Sequence, residues 1–139
     1  MGTMITNLGQ FIGDLEIKKQ MILKQQKKDI KRLAFIIFKQ IIKNTPVDKG
    51  ALRASWSIAE KAATDYISNY EGQSKAEATK IALANMKNID SKDLADLYVI
   101  FNNKEYASYI NNGTSKQAPK KFVEKAIADG IRMWEKRKR

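Results

Sequence analysis

Three carboxylates, Asp90, Asp93 and Asp96, recur at every third position and are the side chains whose types and spacing could bind a metal or transfer protons. Ser91 and Lys92 lie between them, and this composition is more typical of a solvated turn that leads into a strand. The sequence contains no cysteine and no histidine, which excludes thiolate chemistry, the usual zinc ligands and histidine-dependent triads. It also lacks a nucleophile elbow and a glycine-rich phosphate loop. We therefore expect no catalytic residue, no metal and no cofactor.

Five tyrosines provide rings that could stack on the bases of single-stranded nucleic acid. Tyr98 falls within a predicted strand, and Tyr106 and Tyr109 are spaced for one face of a short helical turn. We therefore expect these three rings in the core or at an interface. The other two, Tyr66 and Tyr70, lie in a segment whose secondary structure the sequence leaves ambiguous.

Basic charge is concentrated in two segments of the chain. Residues 14–43 and residues 116–139 each contain nine Lys or Arg and three Asp or Glu, so each has a net charge of +6 within a total of +11. This pattern favours contact with DNA or with acidic proteins, and solvated lysine-rich helix faces would produce the same pattern. The candidate interface or DNA-facing residues are Lys116, Lys120, Lys121, Arg132, Arg137 and Arg139.

The bulk composition indicates one folded domain over residues 1–139, with 43% hydrophobic and 29% charged residues. The longest apolar run, residues 33–38, is too short to span a bilayer, so we expect no membrane partner. Residues 1–15 show neither a basic leader region nor a cleavage pattern, so we expect no signal peptide and synthesis in the cytoplasm.

Residues 14–44 are predicted to form one long helix, because apolar side chains recur there at helical spacing and Pro46 follows its end. Such a helix is about 45 Å long, whereas a domain of this size is about 30 Å across. Part of the helix should therefore project from the domain or contact a neighbouring subunit. Its first half, residues 18–31, consists mostly of Lys and Gln and needs a partner or water to cover it.

The remaining pattern predicts an α+β fold: a long N-terminal helix, a small antiparallel β-sheet, a middle helix, and a C-terminal helix packed on the sheet. The middle helix should begin at a capping box, Ser74 to Glu77, and the last helix should have Pro119 in its first turn. The predicted elements after the long helix are a strand at 54–59, a helix from 75 to about 88, a strand at 97–102, a helical turn at 106–112 and a helix at 120–136.

Two segments carry a family resemblance. The first reads Thr-Pro-Val-Asp-Lys-Gly-Ala-Leu-Arg-Ala-Ser-Trp over residues 45–56, and the second runs from Asn102 through Tyr-Ala to Gly-Thr-Ser-Lys-Gln-Ala-Pro at residues 113–119. Their order and spacing are similar to those of a family of bacteriophage neck, tail-completion and minor tail proteins. The matching positions are Pro46, Asp48, Gly50, Leu52, Arg53, Trp56, Tyr106, Ala107, Gly113, Ala118 and Pro119.

The residues of the first segment have clear physical roles. A Pro-x-Asp-x-Gly turn would set the angle between the long helix and the first strand, and Leu52 and Trp56 would anchor that strand on the helix. Arg53 is a candidate for a fixed ion pair or a subunit contact, or else is an exposed arginine. Gly113 would permit a tight turn that presents residues 115–121 as an exposed loop.

The resemblance implies a non-enzymatic structural virion protein at the head–tail interface, assembled in the host cytoplasm. Its partners would be further copies in a ring of sixfold or twelvefold order, other phage connector and tail proteins, and double-stranded DNA in the channel. Connector, tail terminator and tail-completion roles all remain open. One alternative is a small basic DNA-binding protein, although no helix-turn-helix or zinc finger is apparent. Another is a regulatory module that binds its partner through the long helix.

Overall fold

The computed structural model describes the backbone of residues 2–46, 50–89, 94–104, 107 and 121–138, with side chains from Glu16 to Arg137 within those ranges. The predicted α+β architecture is confirmed. In chain order the elements are α1 (Gly2–Asn44), α2 (Ala51–Ala54), β1 (Trp56–Glu60), α3 (Lys75–Ala84), a 3₁₀ turn (Asn85–Asn88), β2 (Tyr98–Asn102) and α4 (Phe122–Lys138).

Helix α1 begins twelve residues earlier than predicted and ends at Asn44, as expected from the proline that follows. Residues 2–13 include Gly, Thr and Ile, whose unfavourable helix propensities amount to at most about 1 kcal/mol each and do not stop a helix that contains no proline. The 43-residue helix is about 65 Å long at 1.5 Å per residue. Within the described ranges, no helix is both long and apolar enough to cross a membrane.

The predicted strand at 54–59 is wrong at its start. Residues 51–54 form the helical turn α2, which is closed by hydrogen bonds from Ala54 N to Gly50 O (3.0 Å) and from Ser55 N to Ala51 O (3.1 Å). Ala, Leu and Arg are strong helix formers, so the local sequence favours this turn once the chain has reversed at Gly50. Strand β1 therefore starts at Trp56.

Strands β1 and β2 pair antiparallel, with Trp56 opposite Asn102 and Ile58 opposite Ile100. The second strand lies within one residue of its predicted bounds. Helix α3 begins at the predicted capping box, where Ser74 Oγ accepts a hydrogen bond from Glu77 N at 3.2 Å. The segment predicted as a helical turn at 106–112 lies outside the described residues except for Ala107.

Helix α4 packs mainly along α1, and its Phe122 and Ala126 share the core cluster with Trp56 and Ile58 of β1. Phe122 lies deep in the core, and Gly130 lies against Ile37, which indicates that α4 runs back along α1. The helix begins at Phe122, two residues later than expected, because Lys121 has a left-handed backbone (φ 61°) that a helix cannot contain. The core it completes contains Phe38, Ile41, Ile42, Trp56, Ile58, Ala82, Ile89, Phe122 and Ala126.

Candidate functional site

Arg53 caps the end of the long helix. Its Nη2 donates hydrogen bonds to the carbonyl oxygens of Thr45 (2.7 Å) and Lys43 (3.0 Å), and its Nε donates to the Thr45 oxygen at 3.2 Å. Its Nη1 donates to Thr79 Oγ1 on α3 at 3.1 Å. The last carbonyl groups of a helix have no partner within it and carry partial negative charge, so a cation placed there satisfies both requirements. Burial lowers the pKa of Arg53.

The sequence left two interpretations of Arg53 open, an ion pair or subunit contact on one side and an exposed side chain on the other. The residue is only 9% exposed, so the second interpretation is wrong. Its described partners are backbone and hydroxyl oxygens, not carboxylates. Arg53 therefore joins α1 to α3 within one subunit.

Thr45 links the end of α1 to the first strand. Its Oγ1 donates to the Ile41 carbonyl oxygen at 2.6 Å and accepts a hydrogen bond from Trp56 Nε1 at 2.7 Å. Thr45 and Trp56 are both buried, at 1% and 6% exposure. The indole thus packs in the core while its only polar atom is satisfied, which is the usual requirement for a buried tryptophan.

The turn between Thr45 and Trp56 depends on close packing. Pro46 is buried directly after α1, and Gly50 has a φ of 74°, which favours glycine. A Cβ atom on Gly50 would overlap the carbonyl oxygen of Gly72. Leu52 is buried, and its carbonyl oxygen accepts a hydrogen bond from Asn102 Nδ2 at 2.8 Å. Asp48 lies outside the described residues.

The first segment is therefore a structural joint that holds α1, α2, α3 and β2 in fixed relation. Of the second segment, residues 102–104 and Ala107 are described; the Ala107 amide donates to the Lys104 carbonyl oxygen at 3.1 Å. The other matching positions, Tyr106, Gly113, Ala118 and Pro119, lie outside the described residues.

The described tyrosines each form a hydrogen bond within the chain. Tyr66 donates its hydroxyl proton to the Ala54 carbonyl oxygen at 3.2 Å. The hydroxyl oxygens of Tyr70 and Tyr98 accept from the amides of Ser74 and Ala95, each at 3.2 Å. These contacts place the three tyrosines in intramolecular roles.

The aspartate series is only partly described. Asp96 is exposed and forms an ion pair with Lys27, with 3.3 Å between Oδ1 and Nζ, whereas Asp90 and Asp93 lie outside the described residues. Across the residues that the structure describes, no three acidic side chains are grouped to hold a metal ion.

The fold brings the two basic segments together, because α4 packs along α1. Residues of these two helices include fourteen Lys or Arg and six Asp or Glu, a net charge of +8. Lys121, Arg132 and Arg137 are exposed, and Arg132 pairs with Asp129 at 3.4 Å. The remaining candidates, Lys116, Lys120 and Arg139, lie outside the described residues.

The same helix pair exposes large apolar side chains. Within the described part of the chain, eight of the ten exposed large apolar side chains lie on α1 or α4. Ile17 and Met21 are one helical turn apart in the sequence. Because Lys and Gln surround them, the sequence pattern indicates a mostly polar stretch. The eight residues are Ile17, Met21, Ile22, Leu23, Ile30, Ile127, Ile131 and Met133.

Comparison with known proteins identifies a family model that covers most of the long helix and all of the first segment. Residues 9–113 match the family model described as "Bacteriophage HK97-gp10, putative tail-component". The matched residues begin within α1, extend past β2, and include Arg53 with its partners Lys43, Thr45 and Thr79. No curated protein and no solved structure matches the chain.

Proposed function

This chain belongs to the HK97-gp10-like family of bacteriophage tail components, and from that premise we propose that it is a structural protein of the head–tail interface. Family membership supports a structural role within the virion. In the proposed role the protein forms a connector, neck or tail-completion ring through which the viral DNA passes. It acts without catalysis and is assembled in the host cytoplasm.

The observation that carries this proposal is the combination of the family match with the surface of α1. Residues 16–32 of this helix lie outside the core and expose both apolar and basic side chains. A soluble protein rarely leaves such a surface uncovered unless another molecule binds it. Assembly with further copies and with other phage proteins would cover it, and the resemblance of the two sequence segments implies sixfold or twelvefold order.

The proposal is tested by deleting the gene from its phage and imaging the lysate by negative-stain electron microscopy. Filled heads and separate tails that fail to join are the expected result. Complementation with the wild-type gene should restore joined particles. Normal, infectious particles after deletion would overturn the proposal.

A second candidate function is non-specific binding of duplex DNA, and the observation in its favour is the net charge of +8 on the α1–α4 pair. Binding through phosphate contacts would weaken steeply with salt, with log affinity falling linearly against log salt concentration. A titration of labelled duplex DNA at several salt concentrations tests this directly. A protein with no measurable affinity for duplex DNA at low salt would remove this candidate.

A further inference from the structure

The exposed half of α1 is a surface of mixed character. We call residues 16–32 the basic half of α1; it contains seven Lys or Arg and two Asp or Glu. Ile17, Met21 and Ile22 on this surface are 58–66% exposed, and Leu23 and Ile30 are 40% and 43% exposed. A partner that covers it must supply both negative charge and apolar contact area. Phosphate groups alone would leave the apolar side chains without a partner.

The described chain contains a second surface of the opposite sign. We call residues 60–77 the acidic segment; it contains four Asp or Glu and two Lys. Asp65 and Glu71 are exposed, and between them Ile67 is 45% exposed. Acidic and apolar side chains therefore lie together here, as they must on a complement to the basic half of α1.

Most of the acidic segment lies at a different level along α1 from Met21, although its start at Lys61 donates to Leu97 O (3.0 Å), next to the Asp96 that pairs with Lys27. The acidic segment is bound to the end where α1 finishes, since Ser68 N donates to Ser55 Oγ (3.1 Å) and Gly72 lies against Gly50. Met21 lies 24 residues before Thr45 along α1, a distance of about 36 Å at 1.5 Å per residue. The part of the acidic segment around Ser68 and Gly72 therefore cannot cover Met21 within one chain.

We propose that the basic half of α1 in one copy docks on the acidic segment of the next copy. This inference rests on the proposed ring and assigns its subunit contact. The contact joins two different surfaces, so repetition generates a ring if the rotation between copies closes, and a filament otherwise. Pairing of two α1 helices is disfavoured because both carry the same charge. Residues 115–121 include three lysines and have the wrong sign to be the complement.

The test uses two charge-reversal variants of the full chain. The first is Lys24→Glu/Lys28→Glu on α1, which keeps strong helix formers at two exposed positions. The second is Asp65→Lys/Glu71→Lys on the acidic segment, also at exposed positions. Sedimentation velocity and native mass spectrometry should detect oligomers of the wild type that weaken about tenfold or more in each variant, because like charges then face each other.

Mixing the two variants gives the decisive result. In the mixture, the acidic α1 of the first variant can dock on the basic segment of the second variant. The unaltered α1 of the second variant can dock on the unaltered acidic segment of the first. An equimolar mixture should therefore form oligomers in which the variants alternate. The combined quadruple variant should also form oligomers alone. A matched control for the α1 variant, Lys39→Glu/Lys80→Glu, makes the same change in net charge as that variant at exposed positions outside both surfaces and should behave as the wild type.

Several results would overturn the assigned contact. They are a wild type that remains monomeric at all concentrations, variants that associate as the wild type does, and a mixture that does not recover. Thermal unfolding of each variant shows whether it is folded. The virion role is judged separately by gene deletion. Separate heads and tails after deletion, together with variants that associate as the wild type does, would leave the role standing and remove only this contact.

Discussion

The guanidinium group of Arg53 donates two hydrogen bonds to the carbonyl oxygen of Thr45, from Nη2 at 2.7 Å and from Nε at 3.2 Å. Arg53 lies eight positions after Thr45 in the sequence, and the turn at Gly50 brings the two residues together. The most recognisable segment of the family resemblance thus holds the end of the long helix in place. Its function in the virion would be to set the direction in which that helix projects.

Replacing Arg53 should destabilise the fold. Arg53→Ala removes the cap and leaves the carbonyl groups of Lys43 and Thr45 without this partner, so the free energy of unfolding should fall by about 2–4 kcal/mol. Arg53→Lys keeps the charge but not the planar fork, and should lose about 1–2 kcal/mol. Urea denaturation measures both changes. Arg132→Ala, at an exposed surface ion pair, is the control and should change the free energy by less than about 1 kcal/mol. Equal effects at positions 53 and 132 would contradict the capping role.

Thr45 and Trp56 should be energetically coupled. Thr45→Val removes the oxygen that accepts from Trp56 Nε1 and leaves that buried donor unpaired, a loss of about 1–3 kcal/mol. In a Trp56→Phe background the same substitution should cost less, because no indole donor remains. A double-mutant cycle should give a coupling energy of about 0.5–1.5 kcal/mol. Additive effects would show that the 2.7 Å hydrogen bond contributes nothing to stability.

The α1–α4 contact depends on the absence of a side chain at Gly130. An added Cβ atom would lie 2.8 Å from Ile37 Cγ1 and 3.2 Å from Ile37 Cα. Gly130→Ala should therefore lower the free energy of unfolding by about 1–2 kcal/mol, even though alanine is the better helix former by about 1 kcal/mol. In an Ile37→Ala background the same substitution should cost less, because the Cγ1 contact is gone and only the backbone contact at 3.2 Å remains. A stabilised Gly130→Ala single variant, measured by thermal unfolding, would contradict the close packing.

The N-cap of α3 should contribute a measurable stability. Ser74→Ala removes the oxygen that accepts from Glu77 N and should cost about 1 kcal/mol. The matched control is Asn69→Ala, at an exposed position five residues earlier, for which we expect a change within about 0.5 kcal/mol. Chemical denaturation of the two variants side by side provides the comparison.

Short sequence signals correctly predicted the helix ends and the strand that depend mainly on neighbouring residues. The proline after Asn44 marks the end of α1, the Ser74 to Glu77 capping box marks the start of α3, and β-branched and aromatic residues mark β2. The start of α1 was missed because weak helix propensities do not by themselves end a helix. The turn α2 was missed because its sequence also fits the approach to a strand.

Long-range contacts explain the rest of what the sequence did not reveal. The role of Arg53 depends on carbonyl groups that only the folded turn brings within reach. The position of α4 on α1 depends on a glycine whose importance appears only once Ile37 faces it. For the same reason, the packing of α4 along α1, which brings helices from the two basic segments together, could not be read from their separate positions in the chain.

Gold labelling of intact virions tests most directly whether this chain lies at the head–tail junction. An epitope tag inserted after Arg139 lies next to the end of α4, and a tagged gene that complements the deletion confirms that the tag is tolerated. We expect anti-epitope gold particles at the neck of purified virions and none on untagged virions. Gold particles along the whole tail or on the capsid would contradict the assignment to the junction. So would complemented virions that bind no gold even after mild disruption has made the tag accessible.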